Sequence, residues 1–185
     1  MFNAKIFDNF VSKDDCNYLI TKAIESDLWE NAGHVFWDSR VINYEKILKF
    51  DKKSAQIMKD INIQCALKIK KEYNENVYPD TLQIVRWFPE MEQPPHADDM
   101  TNTGIVGFEH RAYGSIVYLN EGYSGGHTYY PNFNFEIKPK VGTLAIHPGN
   151  PEHLHGVTKI KDGMRYTIAS FWTQDKEKIH AHPIY

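Results

Sequence analysis

Apolar positions along the chain recur with two different periods, and the change from one to the other falls near residue 80. Before it, Cys16, Leu19, Ile20, Ala23 and Ile24 return at intervals of three and four, which predicts an amphipathic helix with this stripe toward a core. Ser12 followed by Asp15 resembles a capping box at its start, with Asp in place of the usual Glu. A second helix is predicted after Asp51, with Met58, Ile61, Cys65 and Ile69 on one stripe. Between the two, residues 29–50 carry Trp29, Phe36, Trp37 and Tyr44 without a clean period and read as a loop holding short pieces of structure. Those aromatic residues either line a substrate groove or lid, or pack the helices against a sheet; the pattern leaves both open.

After residue 80 the apolar runs become short and β-prone, predicting strands at 81–87, 96–100, 113–120, 127–130, 135–138, 143–147, 155–160 and 165–172. Pro94-Pro95, Gly125-Gly126, Pro148-Gly149-Asn150-Pro151 and Asp162-Gly163 divide them. The expectation is an α+β, mainly β fold: two N-terminal helices supporting one antiparallel double-sheet core, in a single domain over residues 1–185. A chain that is 42% hydrophobic and 14% aromatic has enough apolar surface to fill such a core. Its formal charge of −3 supplies no global field toward nucleic acid or anionic lipid, so neither is an expected partner. Cys16 and Cys65 read as two buried thiols, without disulfide or zinc spacing. No stretch resembles a signal peptide or a membrane span, and the expected compartment is a reducing cytoplasm.

The chemistry begins at His96-Ala97-Asp98. On a strand, alternate side chains share a face, so His96 and Asp98 can converge on one ion. Two histidines and one carboxylate on one side of an iron leave its other positions open for a co-substrate and oxygen. The second histidine is expected to be His155, with His153, of the same strand parity, as the other candidate. A three-residue hairpin loop at Lys161-Asp162-Gly163 would pair Ile160 with Met164 and His155 with Ala169, pointing His155 and Arg165 to one side. A two-residue turn at Asp162-Gly163 would send them to opposite sides. Arg165 and Thr167 then form a clamp for the distal carboxylate of a dicarboxylic acid whose other end chelates the metal. Of the remaining candidates, His34, His110, His180 and His182 read as exposed, and His147 as structural. Asp99 reads as solvated, and Tyr129, Tyr130, Phe133 and Phe135 as sheet packing.

With these residues in order along the chain, the sequence resembles the prolyl 4-hydroxylase-like family of 2-oxoglutarate/Fe(II)-dependent dioxygenases over nearly its whole length. Ile6-Phe7-Asp8-Asn9-Phe10-Val11-Ser12 is similar to that family's N-terminal strand and the start of its first helix. Gly114-Ser115-Ile116-Val117-Tyr118-Leu119-Asn120, then Tyr123-Ser124-Gly125-Gly126-His127-Thr128 and Pro131, resemble its core strand and Gly-Gly turn. Lys138-Pro139-Lys140-Val141-Gly142-Thr143-Leu144 and His155-Gly156-Val157 resemble the approach to its distal metal histidine, and Arg165 stands where members place their 2-oxoglutarate-binding base. The resemblance implies a double-stranded β-helix (jelly-roll) core, iron on His96, Asp98 and His155, and 2-oxoglutarate held by Arg165 and Thr167. It further implies hydroxylation of a prolyl residue in a peptide or protein by O2, with succinate and CO2 released and ascorbate as a reductant. The presence of Asp98 favours hydroxylation over halogenation, since related halogenases lack that carboxylate.

Three positions depart from the family pattern. Trp87 and Arg86 occupy the place of a tyrosine that helps bind the co-substrate in many members, so that contact is either absent or supplied by Arg86 or Tyr118. His127 replaces the usual Glu of the Gly-Gly turn, and Arg165 stands where collagen-modifying members favour lysine. A free amino acid or other small molecule is the alternative substrate. A cupin-like metal-binding barrel is the alternative class, although it gives Arg165 no role. An oxygenase of modified nucleic acid is disfavoured by the charge of −3.

Overall fold

The computed structural model describes residues 1–29, 36–100 and 108–179. A short strand β1 (Lys5–Phe7) leads into helix α1 (Lys13–Glu25). The Ser12 hydroxyl accepts from the Asp15 N–H at 3.1 Å and itself donates to the Asp15 carboxylate at 2.7 Å. The expected cap is therefore present, but Asp, shorter than Glu, meets the Ser12 hydroxyl. Cys16, Leu19 and Ala23 are buried, whereas Ile24 is 57% exposed, against expectation. At about 100° per residue, Ile24 lies about 100° from the centre of the stripe, outside the buried arc.

The 29–50 segment contributes more structure than expected, and the helices number three among the described residues rather than two. After β2 (Val41–Asn43), α2 (Tyr44–Phe50) buries Tyr44 and Ile47. Asp51 then breaks the helix with an extended backbone (φ −143°, ψ 107°), and its carboxylate accepts from the Ser54 N–H at 2.8 Å. That cap starts α3 (Lys52–Tyr73), whose buried stripe includes the expected Met58, Ile61, Cys65 and Ile69. Asn74, in the left-handed region at φ 59°, ends it.

The remaining strands are β3 (Tyr78–Trp87), β4 (Gln93–His96), β5 (Arg111–Tyr118), β6 (Ser124–Gly125) and β7 (Thr128–Tyr130). They continue as β8 (Phe135–Ile137), β9 (Leu144–Pro148), β10 (His155–Val157), β11 (Ile160–Asp162) and β12 (Arg165–Thr173). Antiparallel pairing joins them into a six-stranded sheet, β1-β9-β5-β12-β3-β2, a four-stranded sheet, β4-β10-β7-β8, and the pair β11-β6. Among the described residues the fold is mainly β, with three α-helices.

Alternation along the six-stranded sheet divides its two faces. Leu82 and Ile84 of β3, Val117 of β5, Leu144 and Ile146 of β9, and Tyr166, Ile168 and Trp172 of β12 pack with Leu19 of α1 and Met58, Cys65 and Ile69 of α3. The intervening residues, Thr81, Gln83, Val85 and Trp87 of β3 and Arg165, Thr167, Ala169 and Phe171 of β12, line a cavity of about 650 Å³. Gln93 and His96 of β4 and His155 and Val157 of β10 contribute to its wall from the other sheet.

Two strand expectations are corrected. The strand expected at 96–100 is β4, which ends at His96 and contains Pro94 and Pro95. β4 is an edge strand, where prolines lacking an N–H forfeit no bond on the open side. The strand expected at 155–160 is two strands in different sheets: β10 pairs with β4 and β7, and β11 with β6. His155 therefore faces His96 across the ladder rather than Ala169, and Arg165 faces Trp87. Gly163 does adopt the left-handed conformation, at φ 79°. Between β10 and β11 the chain is held by the Thr158 N–H on His127 O at 2.9 Å.

Trp172 is fully buried on the helix face, its indole N–H donating to Ser115 Oγ at 2.9 Å. Trp172→Ala is expected to lower stability by about 3–5 kcal/mol, read as a shift of the urea midpoint at constant slope. A loss below about 1 kcal/mol would show that this face is not a close-packed core.

Candidate functional site

His96, Asp98 and His155 converge on one corner of the cavity, with one donor atom from each lying within 4.8 Å of the others. Asp98 Oδ1 is 3.6 Å from His155 Nε2 and 4.0 Å from His96 Nε2. The ladder explains two of the three: His96 and His155 are direct cross-strand partners, their ring centroids 4.5 Å apart. Asp98 lies not on the strand, as expected, but in the turn after it. Backbone bonds from Asp99 N–H to Gly149 O (3.1 Å) and from Met100 N–H to Ala97 O (3.3 Å) tie that turn down.

Hydrogen bonds orient both rings. His155 Nδ1 lies 3.2 Å from His153 O and His96 Nδ1 lies 3.2 Å from Pro94 O. With Nδ1–H donating to these carbonyls, each ring turns an Nε2 lone pair toward the cluster. Burial, then the neighbouring His147, holds the His155 imidazole well below its ordinary range, so it stands neutral. The other candidate, His153, is buried but turned elsewhere, with Nδ1 3.0 Å from Asn150 Oδ1 and its ring against Phe133. Its contribution to the cluster is the carbonyl that orients His155.

Arg165 lies in the same cavity, 1% exposed, and among the described residues no carboxylate pairs with it. Its Nη2 donates to Thr128 Oγ1 at 3.4 Å, while its buried Nε has no partner. Thr128 also accepts from the Tyr118 hydroxyl at 2.6 Å, so it joins Tyr118 to Arg165. Thr167 lines the cavity with Arg165, whereas Tyr118 is fully buried and does not line it, its ring centre 5.3 Å from the guanidinium. Arg86 does not reach the cavity: its Nε donates to Ser39 O at 2.8 Å and it stacks over Trp29 at 3.9 Å. Trp87 does, with the Arg165 guanidinium 5.2 Å from its ring and a buried indole N–H without a partner.

Sequence reasoning missed several residues. Arg40, fully buried, places its guanidinium 3.9–4.8 Å from the rings of Phe36, Trp37 and Trp87 and donates to Phe36 O and Arg86 O. Burial and the like charge of Arg165 push it down to about 10. Within 29–50 the aromatic residues divide: Trp29 and Tyr44 pack with the core between helices and sheet, whereas Phe36 and Trp37 pack on Trp87, and Trp37 lines the cavity. His147, expected to be structural, is buried beside the cluster, its ring 4.1 Å from that of His155. Asp99 is half-buried rather than solvated; desolvation and Asp98 raise it. His110, expected to be exposed, is half-buried 3.6 Å from Asp80, while His34, His180 and His182 lie outside the described residues. No local period signals any of these placements, because each depends on which strands meet.

No protein-family model matches the chain. It is 30% identical over 112 residues to "Putative prolyl 4-hydroxylase" of Acanthamoeba polyphaga mimivirus, a stretch that is 53% of this chain and 46% of that one. The chain spans less than half the length of the curated relatives it matches. Its fold superposes on the viral collagen prolyl hydroxylase of Paramecium Bursaria Chlorella virus-1, solved with 2-oxoglutarate, with a TM-score of 0.72 and 19% identity, covering 94% of this chain and 97% of that one. It also superposes on a prolyl hydroxylase of Trichoplax adhaerens, solved with a hypoxia inducible factor peptide, with a TM-score of 0.68 and 16% identity over 96% and 86% of the two chains. The chain is thus similar in sequence over 112 residues to a protein named a putative prolyl 4-hydroxylase, and it shares the fold of these solved prolyl hydroxylases.

Proposed function

We propose that the chain is a 2-oxoglutarate- and Fe(II)-dependent dioxygenase that hydroxylates an unactivated C–H bond, with a prolyl residue of a peptide or protein as substrate. One observation carries the reading: a single cavity holds a two-histidine, one-carboxylate donor set and a buried arginine whose charge no described carboxylate meets. The donor set suits a divalent first-row ion with ligands at about 2.0–2.2 Å, which brings neighbouring donors to about 3 Å with small movements. Orphaned Arg165 Nε and Trp87 Nε1 suit a carboxylate, as the distal end of 2-oxoglutarate would provide. The two antiparallel sheets around the cavity would be the halves of a double-stranded β-helix.

Iron, when bound, would supply the redox chemistry that activates O2 for decarboxylation of 2-oxoglutarate to succinate and CO2 and for hydroxylation. The chain's part is positional. His96, Asp98 and His155 would hold the ion from one side, and their fixed Nε2 and Oδ1 atoms leave its other side to the cavity. Arg165 and Thr167 would fix the far carboxylate of the co-substrate, and Thr128 and Trp87 keep the guanidinium in place. Val85, Val157 and Ala169 give the cavity apolar walls that exclude water. The prolyl substrate follows from what the relatives are named for, and the peptide in the Trichoplax adhaerens complex supports a peptide or protein over a free amino acid.

Anaerobic addition of Fe(II) and 2-oxoglutarate should give a weak visible charge-transfer band. His155→Ala should abolish it, His153→Ala should retain it, and Arg165→Ala should need about ten- to a hundredfold more 2-oxoglutarate. Bound metal without the band in wild type would instead favour the cupin-like alternative. With O2 supplied, proline-containing peptides should gain one oxygen atom on the prolyl residue, read by tandem mass spectrometry, with matching succinate. Oxygen gained by free amino acids alone would transfer the reading to a small-molecule hydroxylase.

A further inference from the structure

The Asp98 carboxylate uses only one of its oxygens toward the cluster. Oδ1 faces His96 and His155, while Oδ2 is buried and has no hydrogen-bond partner among the described residues. An unpaired carboxylate oxygen away from water is costly, and a ligand left so would be free to rotate. His147 Nδ1 stands 3.7 Å from Oδ2, just beyond hydrogen-bond reach. The same nitrogen is 3.3 Å from Pro148 O, and the buried ring, which also lines the cavity, has the Tyr130 and His155 centroids at 5.7 and 4.1 Å.

The backbone reserves the space in which the two meet. A Cβ at Gly114 would fall on Asp98 Oδ2 and lie 2.8–2.9 Å from His147 Cε1 and Nε2. Gly114 and His147 are direct partners on adjacent strands, so this register brings a side-chain-free position against the aspartate and its imidazole neighbour.

We infer that His147 is a positioning residue for the metal centre: its Nδ1–H donates to Asp98 Oδ2 when the ion draws Oδ1 forward, and Gly114 leaves room for that bond. The inference rests on the metal reading proposed above. It gives His147 a role distinct from ligation, acting through Asp98 and not on the ion. Groups that orient metal ligands in this way typically carry about ten- to a hundredfold in metal affinity.

The test is anaerobic titration with Co(II), followed by calorimetry and by the visible spectrum of the bound ion, without co-substrate or turnover. Wild type should bind one ion with a defined spectrum. His147→Phe, which keeps a ring and removes the N–H, should weaken binding about ten- to a hundredfold. His147→Asn, whose amide nitrogen takes the place of Nδ1, should recover most of the affinity and the wild-type spectrum, whereas His147→Gln should not. Gly114→Ala should cause a similar loss that does not add to that of His147→Phe. Where the phenylalanine variant does not fold, the Asn, Gln and Gly114→Ala arms decide. Wild-type affinity in the variants carrying Phe, Gln or Gly114→Ala, or equal loss with Asn, Gln and Phe, would overturn the role. No ion bound by wild type would instead overturn the metal reading itself.

Discussion

A central strand pair with both faces covered sets the geometry of this protein. β3 and β12 run antiparallel with nine paired positions, and no residue on either strand can change face without moving its neighbours to the wrong one. On one side Tyr166, Ile168 and Trp172 are committed to the helices; on the other Arg165, Thr167 and Ala169 are thereby committed to the cavity. The helices thus fix the chemistry without touching it. By anchoring the even-numbered residues they prevent Arg165 from turning outward to water, where its charge would be solvated.

The four-stranded sheet supplies the complementary half. Its β4–β10 ladder sets His96 opposite His155, and the turn after β4 adds Asp98. A backbone carbonyl orients each histidine ring, and backbone bonds hold the turn that carries Asp98. The donors are therefore held by main-chain structure, which moves less than side chains do. The Arg165 end of the cavity is built differently, from side chain on side chain: Tyr118 and Arg165 both donate to Thr128, and Arg165 lies beside Trp87, which in turn covers Arg40. Two buried guanidiniums near one indole concentrate positive charge beside the cavity. Burial first, and then the like charge of Arg165, lowers Arg40.

Phe36 and Trp37 of the 29–50 segment belong to this second arrangement. Phe36 and Trp37 close around Arg40 and against Trp87, so a stretch without periodicity is ordered by a buried cation and ring edges rather than by an amphipathic stripe. The departure of Trp87 from the tyrosine of many family members acquires a physical context here, because a tyrosine would offer Arg40 a smaller face.

The sequence by itself determined what depends on neighbours close along the chain. The stripes and caps of α1 and α3, the order of the short strands, the left-handed turn at Gly163, and the shared face of Arg165 and Thr167 all follow from local periods and residue chemistry. It also singled out His96, Asp98 and His155 as residue types. What it misjudged concerns pairing at a distance: His155 was set against Ala169 because a hairpin is the nearest partner a local rule can offer. The fold sends β10 and β12 to different sheets, where His155 meets His96 instead. Only the tertiary structure decided that His147 stands beside Asp98, that Arg40 lies among three rings, and that Thr128 joins Tyr118 to Arg165. Burial and contact between distant strands arise from the register of the sheets, and no local alternation of apolar and polar residues encodes which strand lies opposite which.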